Sequence, residues 1–378
     1  MATVISEEYM KTNGYISTWK RIVLKIGSAL IAPDGKGCSS HNLLAIAQFI
    51  IECRKRHIDV ILVSSGSVAA GRSFFADSKP SIGLKKAMAA AGQTEMMAMW
   101  DRFFDFPSAQ ILLTHGDLRD RERYTSIRET VFTLLEHGVL PIINENDTVT
   151  TDDLKVGDND NLSAMVAAAA DADALMIFSD VDGLYDKNPN LHEDAVLLPE
   201  IDSIDESIYA MAGCATSAVG TGGMKTKIEA AEKATSHGIT TFILNGFKEQ
   251  TFNRLLEGDN PGTIFKPYDK PMQEAVHWMT HTANEQGEVV VEGSIDKSTE
   301  DGCIRSDEIV AVHGEFGVGD TILVRSDDGT RLAKATANYS SCLLNFIADN
   351  EQSEFSEKMQ DSIGPVVSEK DIALLEKS

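Results

Sequence analysis

Arg21-Ile22-Val23-Leu24-Lys25-Ile26-Gly27 is a short apolar run closed by a glycine turn, and Val60-Ile61-Leu62-Val63-Ser64-Ser65-Gly66 is a second. Between them, residues 42–56 place Leu43, Leu44, Ile46, Ala47, Ile50 and Ile51 at helical spacing. Strand, helix, strand is the prediction for this opening. Further along, the pattern recurs, with strands expected at 109–113, 139–143, 174–178 and 240–244 and helices at 125–137, 163–170 and 225–237. Continuous apolar strands alternating with helices suit a sheet buried on both faces, so the predicted class is α/β, a largely parallel open sheet sandwiched by helices. The texture changes at Lys266-Pro267-Tyr268-Asp269-Lys270-Pro271, where two prolines interrupt any regular element. Short alternating runs at 288–292, 308–312, 321–325 and 331–337, joined by turns such as Asp328-Gly329, then predict a small β domain. The expected boundaries are an extension at 1–20, the α/β domain at 21–267, the β domain at 275–360 and a tail at 361–378, acidic from about Glu351 and helical near its end.

With 378 residues the chain exceeds one typical domain. Its formal charge of -24 opposes nucleic acid and anionic membranes over long range, so any phosphate site has to be locally basic. The cysteines, Cys38, Cys53, Cys214, Cys303 and Cys342, are odd in number and form no C-x-x-C pair. That pattern argues against a disulfide framework and a structural zinc site, and fits reduced cytoplasm. Residues 1–20 lack the continuous apolar stretch of a signal peptide, and no window of about 18 apolar residues offers a membrane span.

Val156-Gly157-Asp158-Asn159-Asp160-Asn161-Leu162-Ser163 packs carboxylates and carboxamides around a glycine and runs into an apolar helix. A few residues earlier stands Ile143-Asn144-Glu145-Asn146-Asp147. Turn formation and helix capping, with Asn161 as the N-cap, account for one or two of these residues. They leave two neighbouring polar clusters unexplained, and such clusters bind something polar. Lys25 ends the first strand, where ligands of open α/β sheets gather, although a lone strand-end lysine is ordinarily a solvated charge. Ser64-Ser65-Gly66-Ser67 occupies the turn after the second strand, where backbone N–H groups and hydroxyls hold an anion or merely cap a helix. Thr221-Gly222-Gly223-Met224-Lys225-Thr226-Lys227 is a glycine-rich turn opening a helix. Its lysines oppose the helix dipole unless an anion lies near, although the spacing is not that of a Walker A loop. Ser179-Asp180-Val181-Asp182-Gly183-Leu184-Tyr185 follows a strand and suits a ribose, a base edge or a metal, but lacks the glutamate of an EF-hand. Met88, Met96, Met97, Met99 and Trp100 read as core or oligomer packing rather than a partner surface. His41 and His115 have no companion ligands and receive no role.

Together these segments resemble the amino acid kinase family. The likeness spans roughly residues 21–267 and is carried by Val23-Leu24-Lys25-Ile26-Gly27-Ser28, by Val63-Ser64-Ser65-Gly66 with Ala70-Gly71-Arg72, and by Asp117-Leu118-Arg119-Asp120-Arg121-Glu122-Arg123-Tyr124. Pro141-Ile142-Ile143-Asn144-Glu145-Asn146-Asp147, Lys155-Val156-Gly157-Asp158-Asn159-Asp160-Asn161 and Gly220-Thr221-Gly222-Gly223-Met224 complete it. The two polar clusters resemble the branch that phosphorylates the side-chain carboxylate of free L-glutamate on the way to proline. Branches acting on acetylglutamate or aspartate are the alternatives. The C-terminal segment, with Ala337-Asn338-Tyr339-Ser340-Ser341, looks like a barrel-like PUA domain.

The resemblance implies ATP as co-substrate and Mg²⁺ held largely by ATP phosphates and water, with no dedicated protein ligands. It implies Lys25 and Lys227 as catalytic lysines and Asp160 as the carboxylate holding both. An adjacent lysine pair would repel without such a carboxylate. Ser65, Asp147, Asn159, Asp158 and Lys155 are implied as contacts to the amino acid, Asp147 facing its ammonium. Ser179, Asp180, Thr221, Gly222, Gly223, Met224, Lys225 and Thr226 join Lys25 and Lys227 around ATP, Ser179 standing where threonine is more usual. A homo-oligomer and proline as a feedback inhibitor are further expectations. RNA binding through the PUA-like segment is a reading from another class, but acidic residues outnumber basic ones there, the reverse of an RNA footprint.

Overall fold

The computed structural model describes residues 15–35, 37–75, 80–150, 159–212, 223–293, 303–349, 364–368 and 371–375. They divide into two compact units, one within Met1–Leu118 and Glu122–Pro271 and the other within Arg119–Arg121 and Met272–Ser378. The first unit alternates strand and helix: β1 (Arg21–Ile26), α1 (Leu43–Lys55), β2 (Asp59–Ser64), α2 (Ser67–Gly71), α3 (Ile82–Asp101), β3 (Ser108–Leu113), α4 (Arg121–Glu136), β4 (Leu140–Glu145), α5 (Asn159–Ala169), β5 (Ala174–Ser179), β6 (Glu200–Ile201), α6 (Met224–Ser236), β7 (Thr240–Asn245), α7 (Glu249–Glu257) and β8 (Thr263–Phe265). The sheet order is β3-β4-β2-β1-β5-β7-β8-β6. Strands β3 to β7 in that order run parallel, β8 is antiparallel to β7, and β6 is parallel to β8. Strands β6 and β8 were not anticipated, because two or three residues are too few to display a period.

Strand β1 shows how the pattern makes the fold. Ile22, Leu24 and Ile26 join one core with Ile46, Phe49 and Ile50 of α1 and Phe252 and Leu255 of α7. A strand alternates its faces, so Val23 and Lys25 point the other way, toward α5. Burying each such aliphatic side chain contributes about 1.5–3 kcal/mol, which is what holds a central lysine-bearing strand in place. Met88, Met96 and Trp100 are fully buried, so the methionine-rich helix α3 is core. Ser81 caps that helix by accepting from the Leu84 N–H at 3.2 Å. Helices α2 and α3 approach until a Cβ on Gly71 would lie 1.9 Å from the Met88 carbonyl oxygen, so only glycine fits.

Helix α5 starts four residues earlier than expected. Asn161 therefore lies inside its first turn, hydrogen-bonded to Glu229 and Lys233, and is not the N-cap. Every residue of α5 is buried, because it lies between the sheet and α6.

The second unit has helix α8 (Glu274–His281), strands β9 (Gly287–Val291), β10 (Ile309–Gly314), β11 (Thr321–Ser326) and β12 (Arg331–Thr336), helix α9 (Ser341–Asp349) and strand β13 (Ile372–Leu374). Its sheet order is β10-β9-β11-β12-β13, around a core that includes Val289, Ile322, Val324, Ala333 and Ala335. The four predicted strands fall where they were expected. Ile372–Leu374, read as the helical end of a tail, instead pairs antiparallel with β12, and Val366 and Val367 are buried in the same core. An acidic flank masked this short apolar segment.

Candidate active site

Parallel strands put their carboxyl ends along one edge, and several of the described polar residues singled out from the sequence collect there. Lys25 is the next-to-last residue of β1, in register with Val63 of β2 and Ile177 of β5. Ser65 and Gly66 follow β2, Asn144 and Glu145 end β4 with Asp147 just beyond, and Ser179 ends β5. Gly66 has φ +104°, and a Cβ there would also meet Ile31 at 2.9 Å, so the turn that presents Ser65 requires glycine. Asn159 and Asp160 enter from the first turn of α5, and Lys227 from the first turn of α6.

Asp160 is the hub. Its Oδ1 lies 2.6 Å from Lys25 Nζ and its Oδ2 lies 2.9 Å from Lys227 Nζ. Thr226 Oγ1 stands 2.9 Å from the same Oδ2. All three charged residues are buried, at 6% exposure or less. Burial alone would raise the Asp160 carboxyl, but Lys227 and Lys25 outweigh it and hold the group well below the usual carboxylate range. The triad carries one net positive charge in a desolvated place, where attraction for a phosphate is little screened.

Beside the hub lies a carboxamide cluster. Asn159 Nδ2 donates to Ser65 Oγ and to Asn144 Oδ1, each at 3.0 Å. Asp147, 6% exposed, accepts from Ser67 Oγ at 2.7 Å through Oδ2, while its buried Oδ1 has no hydrogen-bond partner among the described residues. Burial raises the Asp147 carboxyl, and the Ser67 hydroxyl offsets this only in part. A small pocket of about 250 Å³ here is lined by Ser67, Gln93, Gln110 and Asp147 among others. Ser67, Gln93 and Asn144 received no role from the sequence. Ser67 and Asn144 were inside quoted motifs, whereas nothing marked Gln93 within α3.

A larger cleft, about 510 Å³, is lined by Ser179, Asp180, Asp182, Tyr185, Gly223, Met224 and Lys227, with apolar Val181, Leu184 and Met211. Asp182, also unassigned from sequence, is tied to Lys248 at 2.6 Å and to Asn245 at 2.9 Å. Lys227 thus belongs to both the cleft and the hub. Thr226 turns toward Asp160. The Lys225 side chain is 70% exposed beside Glu229, so the two helix-opening lysines part company. Lys155, Asp158, Thr221 and Gly222 lie outside the described residues.

The amino acid kinase family model matches residues 20–245, which contain the hub, the cluster and the cleft. The chain belongs to the amino acid kinase family. A relative named glutamate 5-kinase 1, from Pseudoalteromonas translucida (strain TAC 125), is 84% identical over 95% of this chain and 99% of its own length. Glutamate 5-kinases of Idiomarina loihiensis (strain ATCC BAA-735 / DSM 15497 / L2-TR) and Salinibacter ruber (strain DSM 13855 / M31) are 53% and 43% identical, over 96% and 95% of this chain and 99% and 98% of their own. Amino acid kinases are phosphotransferases. Among the described residues no group of three or more His, Cys, Asp or Glu side chains could hold a metal, and no helix is long and apolar enough to cross a membrane.

Proposed function

We propose that the chain transfers the γ-phosphoryl group of ATP to the side-chain carboxylate of L-glutamate, giving L-glutamyl 5-phosphate, the first step of proline biosynthesis. The observation that carries this reading is the buried Lys25–Asp160–Lys227 triad at the edge of the nucleotide-sized cleft. The names and identities of the relatives support glutamate as the acceptor.

Two anions must meet for this reaction, so the protein has to position them and balance the charge on the transferred group. Lys227, shared by cleft and hub, is the group we assign to the nucleotide phosphates and the transferring phosphoryl, with Lys25 completing the positive field from β1. Asp160 keeps both ammonium groups aimed. Gly223 and Met224 at the start of α6, with Ser179 and Asp180, form the cleft side that takes the nucleotide. Lys225, Thr221 and Gly222 remain with this side of the proposal, and Lys155 and Asp158 with the amino-acid side. Ser65 and Asn159 suit the substrate carboxylates. Asp147 Oδ1, buried and without a hydrogen-bond partner among the described residues, suits a free ammonium and disfavours an acylated amine, which argues against acetylglutamate.

We assign Mg²⁺ to the nucleotide phosphates, where it would offset their charge. We further read residues 21–267 as the kinase domain and 275–360 as a PUA-like domain, in a cytoplasmic homo-oligomer subject to feedback by proline. Four free cysteines among the described residues fit a reducing compartment. The test is trapping of the acyl phosphate as hydroxamate in the presence of ATP, Mg²⁺ and L-glutamate. Glutamate-dependent hydroxamate is expected, and product with aspartate or N-acetylglutamate but none with glutamate overturns the proposal.

A further inference from the structure

A chain of buried carboxamides runs from the surface to Ser65. Gln93 Nε2 donates to Gln110 Oε1 at 3.2 Å, Asn144 Nδ2 donates to Gln93 Oε1 at 2.9 Å, and Asn159 Nδ2 donates to Asn144 Oδ1 and Ser65 Oγ. Gln110 is exposed, whereas Gln93, Asn144 and Asn159 are 8%, 1% and 3% exposed.

The polarity of such a chain is ordinarily ambiguous, because an amide can turn over and exchange its oxygen for its nitrogen. Here one backbone group removes the ambiguity. The Glu145 N–H can only donate, and it points at Asn144 Oδ1 at 2.9 Å and Asn159 Oδ1 at 3.3 Å. Both acceptor atoms must therefore be oxygens. It follows that Asn144 presents its NH₂ to Gln93, and that Asn159 presents its NH₂ to Asn144 and Ser65. Both amide protons of Asn159 are then used. Ser65 Oγ, already an acceptor, keeps its own proton, which has no acceptor among the described residues although Ser65 is only 4% exposed. A buried hydroxyl held in that state is a donor awaiting an anion.

We propose that Gln93 and Asn144 are positioning residues for the amino-acid substrate. They anchor the Asn159 amide with its NH₂ toward Ser65, so that the Ser65 hydroxyl donates to a substrate carboxylate and cannot turn its proton away. This rests on the glutamate reading above, and it assigns a role to two residues that the phosphoryl-transfer chemistry itself does not use.

The test is a double-mutant cycle on the full chain, read as KM for L-glutamate and for ATP. Ser65→Ala should raise the glutamate KM about tenfold or more, the usual worth of a hydrogen bond to a charged group. Gln93→Met, neutral and similar in volume, should raise it about fivefold while ATP KM and kcat move by less than about twofold. In the Ser65→Ala background the same Gln93 change should add nothing, since the proton it steers is gone. Gln93→Glu, which keeps an oxygen for Asn144, should recover most of the loss. If the methionine variant does not fold, Gln93→Ala, open to water from the adjoining pocket, carries the same cycle. A Gln93 effect that persists in full without the Ser65 hydroxyl, or no effect on glutamate KM, overturns the proposal. A wild-type chain with no glutamate-dependent turnover would instead remove the glutamate reading on which it stands.

Discussion

Asp160 and Asp147 are two carboxylates buried to nearly the same degree, 2% and 6% exposed, on either side of one site, and their surroundings push them in opposite directions. Asp160 meets two lysines and is held low. Asp147 meets one hydroxyl, has an oxygen without a hydrogen-bond partner among the described residues, and is pushed up. The difference is between a charge whose partners are built into the fold and one that the proposed function pairs with a ligand. The first organises cations and belongs to a permanent field. The second costs stability in the free protein, a cost that the ammonium of the proposed substrate would offset.

Breaking the Asp160 side should have the largest effect. Asp160→Ala strands two buried lysines, and about 3–5 kcal/mol of stability should be lost together with activity, measurable by denaturant unfolding and ADP release. The pH dependence follows from the sign of the shift. With its folded pKa depressed, Asp160 contributes stability that is complete above the unfolded value of about 3.9 and disappears as pH falls toward the folded one. Lys227→Ala should come next, lowering kcat about 10²–10³-fold while the fold persists, because Asp160 retains Lys25 and Thr226.

On the other side, Asp147→Asn should raise the glutamate KM about 10–100-fold and leave ATP KM nearly unchanged. The sign of its pH effect is reversed. Because the Asp147 pKa is raised, its ionisation costs stability as pH rises through that value. As pH falls through it, the protein gains stability but loses its ammonium anchor, so glutamate KM should climb at a pH above the ordinary aspartate range. A pH profile of glutamate KM checks this, and Asp147→Asn should flatten it. Smallest of all, Lys225→Ala should change ATP KM by no more than about threefold, as its side chain is largely solvated, and a larger rise would bring it into the cleft.

The contrast between the two aspartates was only half legible in the sequence. The α/β alternation could be read because apolar runs such as Ile22–Ile26 and Val60–Val63 repeat with helices between them, and a motif resemblance placed both aspartates in one site. The resemblance already paired Asp160 with Lys25 and Lys227, whereas the contact of Asp147 with Ser67, between residues far apart in the chain, is encoded by no local pattern. Gln93 was invisible for a related reason, since one glutamine among the methionines and alanines of α3 carries no period and no motif. Strand β13 was hidden in turn because three residues gain their strand character from β12 and not from themselves.

The central claim is that the buried Asp147 oxygen waits for a free ammonium while the Asp160 hub serves the phosphates. Its most direct test compares initial rates of ADP formation by one purified preparation, at saturating ATP and Mg²⁺, across matched concentrations of L-glutamate and N-acetyl-L-glutamate. Rapid turnover is expected with L-glutamate and little above background with the acetylated compound. Equal or faster turnover with N-acetyl-L-glutamate would contradict it.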